Sequence, residues 1–212
     1  MRKTLIKLWL LFDPLYYRLT RLTYIGHSRL GKYSNRSNNI FRVRLTRFKG
    51  SELRLSDGTV IKKNDLMIKI HLHNVRLLRE LEDVKSDIRK AFVTVQIVKE
   101  SMPGVGTYLL SHKRNSEIKG IIGITTLSKG VKRLGFESKE IKNPVYKWLK
   151  KITFYPIYVL SLTQPWIKQC IKQPDPKYIV MSKEQLYSTY IYKPIETALQ
   201  KEKSKIIDRS SS

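Results

Sequence analysis

At 212 residues the chain is long enough to bury a core without covalent staples, and its one cysteine, Cys170, excludes an internal disulfide. A count of 42 Lys/Arg against 17 Asp/Glu gives a net charge of +25. That surplus turns the chain away from cationic partners and toward polyanions: nucleic acid, anionic lipid or acidic polymer.

The charge is uneven. Residues 1–50 hold 12 Lys/Arg and one Asp, whereas residues 51–100 hold 10 basic and 8 acidic groups. Met1–Phe12 is apolar but broken by Lys7 and followed by no small-residue cleavage site, so it reads as a first helix packed on the domain rather than a secretory signal; an interfacial helix is the alternative. Residues 4–24 read as a helix restarted at Asp13-Pro14, where Asp caps and Pro suits the first helical position. Gly26–Asn39 is a polar loop.

Ile40–Arg47 alternates as a strand, with Phe41, Val43 and Leu45 on one side and Arg42, Arg44 and Thr46 on the other. Asp57-Gly58 between Leu53–Leu55 and Thr59–Ile61 signals a hairpin, and Lys62–Asp65 a second turn. Leu66–Leu72 is the strand on which the rest is organised. Leu66, Ile68, Ile70 and Leu72 share one face; Met67, Lys69, His71 and His73 share the other. A long helix, capped by Asn74, is expected over Val75–Glu100, with Leu77, Leu81, Val84, Ile88, Ala91 and Val95 as its apolar stripe. It should stop at Ser101–Gly104.

Ile118–Ile124 reads as a buried strand, with Thr125 or Thr126 capping a short helix to Leu134 and Gly135-Phe136 stopping it. Val145–Ile171 is aromatic and apolar but interrupted by Pro156 and Pro165. Too short in its apolar core to span a bilayer, it is either a kinked core helix or an interfacial belt. Tyr178–Met181 is a strand, Ser182 with Gln185 a capping box for the next helix, and the tail from Lys201 lacks the composition of a core.

Three clusters could carry chemistry. His71 and His73, with His112, are candidate catalytic imidazoles: one of the first two could act as a general base. Metal ligation, with His112, Asp57 or Asp65 as a third ligand, is disfavoured by Lys69 on the same face, and no metal site is assigned. The strand-to-helix turn with Thr125, Thr126, Ser128 and Lys129 is the candidate site for an anionic donor or cofactor, through backbone N–H groups at a helix start; it is not a Walker loop. The cofactor itself is undefined. Third, Arg42, Arg44, Arg47 and Lys49 interleave with Tyr16, Tyr17, Tyr24, Tyr33 and Phe41, the make-up of a nucleic-acid groove but without a known nucleic-acid motif.

The stretches FRVRLTRFKG (Phe41–Gly50), LSDGT (Leu55–Thr59), KIHLHN (Lys69–Asn74), SMPG (Ser101–Gly104) and, above all, IKGIIGITTLSKGVKRLGFE (Ile118–Glu137) resemble the YkoP-like proteins. The resemblance spans roughly Leu5 to Tyr192. In that family the domain occurs alone or fused behind polysaccharide deacetylase domains, which implies a bacterial envelope context and no particular reaction.

The expected fold is α+β, a mostly antiparallel sheet packed on a long helix with flanking helices. Residues 1–39 form an N-terminal helical segment and loop, 40–192 the YkoP-like domain, and 193–212 a charged tail. The favoured function is an accessory envelope-associated domain, cytoplasmic and peripheral at the inner membrane face, whose basic side takes anionic lipid or acidic polymer. Whether it is an enzyme stays open. The rivals are a transferase, with the donor at Thr125, Thr126 and Ser128 and His71 or His73 as base, and a nucleic-acid-binding protein.

Overall fold

The computed structural model describes residues 23–24, 39–126, 130–161, 173–197 and 200. The expected helix before Thr23, most of the Gly26–Asn39 loop, Ser128 and Lys129, the second half of the aromatic segment and the tail from Lys201 lie outside the described residues.

β1 (Thr23–Tyr24), β2 (Phe41–Arg47), β5 (Leu66–Leu72), β6 (Ile118–Thr125), β8 (Lys177–Ser182) and β7 (Glu137–Glu140) form one sheet in the order β1-β2-β5-β6-β8-β7. Alternation marks β2 and β5, and an apolar run marks β6. All neighbours are antiparallel except β5 and β6. The fold is α+β. A parallel pair needs a crossover, and helices α1 (Asn74–Glu80) and α2 (Asp87–Leu110) supply it. β3 (Leu53–Arg54) and β4 (Val60–Ile61) make the predicted hairpin, with Gly58 at φ +86°, but they pair as a separate two-stranded sheet rather than joining the main one.

Each face of the main sheet packs on something different. Val43, Ile68, Ile70, Ile118, Ile121 and Met181 face a large core that α2 completes with Val98, Met102, Val105 and Leu109. On the opposite face Met67, Ile122 and Val180 meet Phe48 and the hairpin residues Leu53, Leu55 and Ile61. The hairpin is held there by polar contacts as well. The N–H and hydroxyl of Ser56 donate to Glu137 Oε1 at 2.6 and 2.7 Å, Lys139 Nζ donates to the Arg54 carbonyl at 2.6 Å, and the buried Ser182 hydroxyl donates to Asp57.

Several expectations are corrected. Tyr24, the expected end of a helix, and Thr23 pair instead with the free edge of β2 at Arg42 and Val43. The single long helix is two. It breaks over residues 81–86, where Ser86 Oγ accepts from the Arg89 N–H and starts α2 afresh. The restart shifts the helical phase, so Ile88 is 85% exposed while Lys90, Thr94, Val98 and Met102 turn inward. The first cap is His73, not Asn74: its Nδ1 accepts from the Arg76 N–H at 3.3 Å. The helix also runs through Ser101–Gly104 to Leu110, with Pro103 inside it. Burial of Met102, Val105 and Leu109 outweighs the lost hydrogen bond and the ring clash, a cost of about 3 kcal/mol.

Thr125 and Thr126 do not open a helix at their own position. Between Thr126 and Gly135 the described residues hold a 3-10 turn, Val131–Leu134, that starts after Gly130 at φ +93°. The stop at Gly135 (φ +80°) is as read, with the Phe136 N–H donating to the Val131 carbonyl. β7 escaped the sequence reading because Glu-Ser-Lys-Glu has no apolar alternation. It is a charged edge strand defined by its pairing with β8. Ser182 Oγ accepts from the Gln185 N–H at 3.0 Å and starts α4 (Lys183–Tyr187), which passes into a π-helical turn, Ser188–Tyr192.

Candidate functional site

The register of β2 against β5 merges two clusters that sequence reading keeps apart. Arg42 pairs with His71, and Arg44 with Lys69. Directly paired residues share a face, so four nitrogenous side chains stand together on the face opposite the large core. The end of this face that carries Met67 is roofed by the hairpin; the His71 end lies against α3 (Pro144–Ser161). The Asn143 side chain caps that helix at the Tyr146 N–H, 2.9 Å, with Pro144 at its first position. From α3, Lys150 and Tyr146 look back at the sheet: Lys150 adds its charge to Lys69 and His71, and Tyr146 feels Arg44.

The electrostatics are one-sided. Burial, then the charges of Lys150 and Arg44, bring Lys69 down to about 8. Burial, then Lys69, Arg44, Lys150 and Arg42, push His71 down to about 3. Lys150 is lowered by burial and by Arg44. Among the described residues no carboxylate acts on Lys69, His71 or Lys150. Asp175 is committed elsewhere, to Lys147 at 2.7 Å and Lys151 at 3.0 Å. Arg42 and Arg44 each have further interactions within the fold. His71 Nε2 is buried without a hydrogen-bond partner among the described residues.

This geometry bears on the three histidines unequally. His71 is neutral at physiological pH and too weak a base for efficient proton abstraction. His73 uses Nδ1 to cap α1. His112 lies beyond the end of α2, just before β6, so it sits at the opposite end of the sheet from the end of β5. Its Nδ1 accepts from the Arg114 N–H at 3.1 Å, and its ring tilts against Tyr108 at 5.8 Å. The three rings therefore do not form one group. Thr125 ends β6, which runs parallel to β5, so it and Thr126 lie at the same end of the sheet as His71. Ser128 and Lys129 are outside the described residues.

Two further features flank the cluster. A cleft of about 330 Å³ beside the hairpin is lined by Phe48, Leu53, Ile141, Asn143 and Tyr178, and holds none of the candidate residues. On the outer side of α3, Val145, Trp148, Leu149, Ile152 and Tyr155 are 43–66% exposed. Their spacing of three and four makes a single apolar stripe on that helix. No described helix is long and apolar enough to cross a membrane.

A family model for the YkoP domain matches residues 2–190. The chain belongs to the YkoP domain family. A curated relative, the uncharacterized protein YkoP of Bacillus subtilis (strain 168), is 42% identical over 190 residues, covering 90% of this chain and 98% of its own length. No solved structure gives a significant match. The YkoP match covers every element described above from β1 to Tyr190, so the cationic face and the stripe on α3 both lie inside the YkoP domain.

Proposed function

We propose that this YkoP-domain protein is an accessory, envelope-associated domain that docks peripherally on an anionic membrane surface through α3. The observation that carries this reading is the exposed stripe Val145–Trp148–Leu149–Ile152–Tyr155 on a chain of net charge +25. Trp and Tyr favour the membrane–water boundary, and a helix with one apolar face lies in the interface plane. Burying a large apolar side chain contributes about 1.5–3 kcal/mol, and each Lys/Arg near an anionic surface about 1 kcal/mol. A few of each suffice for reversible binding. Lys142, exposed at the start of α3, is placed to add to the charge term.

The test is co-sedimentation of the full chain with vesicles of phosphatidylglycerol mixed into phosphatidylcholine, against phosphatidylcholine alone. Binding should need the anionic lipid and should fall when Trp148→Ser and Ile152→Ser are combined. Indifference to lipid charge, or full binding by the double variant, overturns the reading. Absence of vesicle binding together with steeply salt-dependent retention on DNA or RNA would instead favour the nucleic-acid alternative.

A further inference from the structure

The cationic face beneath α3 is not needed for the surface docking just proposed. Its groups point inward between sheet and helix, whereas the stripe points outward. Lys69, His71, Arg44 and Lys150 are half-buried and Arg42 is 3% exposed. Gathering cations away from water, with no carboxylate among the described residues acting on Lys69 or Lys150, costs stability. A fold that keeps such an arrangement has a reason when a negative ligand enters it.

We propose that Lys69, Lys150 and His71, set in the field of Arg42 and Arg44, form a discrete binding site for one phosphate group, free or esterified. Donors approach from two directions, the sheet (Lys69, His71) and the helix (Lys150). That suits a tetrahedral anion better than a planar carboxylate. The number of cations suits a dianion, since a single carboxylate would leave most of the charge uncompensated. The neutral His71 ring offers Nε2, which is buried and lacks a hydrogen-bond partner among the described residues, as a donor to one phosphate oxygen in the Nε2–H tautomer. Tyr146 and Tyr178 border the same face, and burial raises both. Both stay protonated and add no negative charge to that face. Bound phosphate would offset the burial and the repulsion that lower Lys69, so binding takes up protons as pH rises through 8.

The experiment uses the full chain and inorganic phosphate, with no vesicle present. Thermal melts are followed as sodium phosphate replaces sodium chloride at constant ionic strength, and isothermal titration gives the stoichiometry. A saturable rise in melting temperature with one site per chain is expected. Affinity should be at least tenfold weaker in Lys69→Gln and Lys150→Gln and unchanged in the Trp148→Ser/Ile152→Ser variant. Should Lys69→Gln fail to fold, Lys69→Met and Lys150→Gln carry the same comparison. A response in wild type that does not saturate, or that survives in both lysine variants, overturns the site. Glycerol 3-phosphate and phosphatidic acid vesicles then separate sources. Binding of the soluble ester means a soluble phosphate ester can be the ligand; binding of the vesicle that is lost in the lysine variants but kept in the stripe variant means a lipid headgroup. Binding only to vesicles, and only through the stripe, refutes the site while leaving the docking reading intact.

Discussion

His71 gives the sharpest quantitative expectation. Its ring, with ordinary value 6.5, is held at about 3 by burial and by Lys69, Arg44, Lys150 and Arg42. The unfolded chain takes up a proton at this position as pH falls below 6.5, while the folded chain does not until about 3. The unfolded state therefore binds more protons across this window, and stability falls as pH drops. Between pH 7 and pH 5 the difference amounts to about 2 kcal/mol from this one group. His71→Leu removes the titration and leaves no unpartnered nitrogen. Urea unfolding of wild type and variant at both pH values isolates the effect, because all other titrating groups are common to both. Wild type should lose about 2 kcal/mol more than the variant on going to pH 5. Equal losses would mean that the ring titrates normally, and the picture of a cation-crowded, half-buried imidazole would be wrong.

Other expectations follow from the same packing. Lys69, lowered from 10.5 to about 8, opposes folding while charged, so wild type should gain stability between pH 8 and 10.5; Lys69→Met should erase that slope and melt higher at pH 7 without phosphate. Pro103→Ala restores an N–H inside α2 and should raise stability by about 1–3 kcal/mol in urea unfolding; no gain would place a compensating contact at the ring. Gly120→Ala drives a Cβ into the Met181 carbonyl oxygen, with the Ser182 Cα close behind, and should cost more than about 3 kcal/mol, or prevent folding, as judged by circular dichroism. Ser182→Ala removes both the cap of α4 and the partner of Asp57. It should lower stability by about 2 kcal/mol, more than a cap alone.

The sequence by itself determined those elements whose signal is local. The period of two defined β2 and β5, short apolar runs marked β6 and β8, the Asp57-Gly58 turn defined the hairpin, Ser182 marked the start of α4, and Gly135 ended the turn before β7. Each depends on residues within a few positions of one another. The phase of α2 was not legible in this way. Ile88 and Ala91 extend the stripe of α1 in the sequence, but the Ser86 cap restarts the helix, and the large core selects Lys90, Thr94 and Val98 instead. Pro103 and Gly104 read as a stop, and only the buried Met102, Val105 and Leu109 explain why the helix continues. β7 carries no pattern of its own and exists through its partner.

The candidate site divides in the same way. That Lys69 and His71 share a face, and that Arg42 and Arg44 share a face, is a property of each strand alone. Bringing the two pairs together takes the antiparallel register of strands separated by the hairpin, and closing them over takes a helix more than 70 residues further on. Hydrogen-bond register and side-chain burial are long-range quantities. Only the tertiary structure could convert two scattered basic signals into one enclosed field of positive charge, and assign His73 to a cap and His112 to the far end of the sheet.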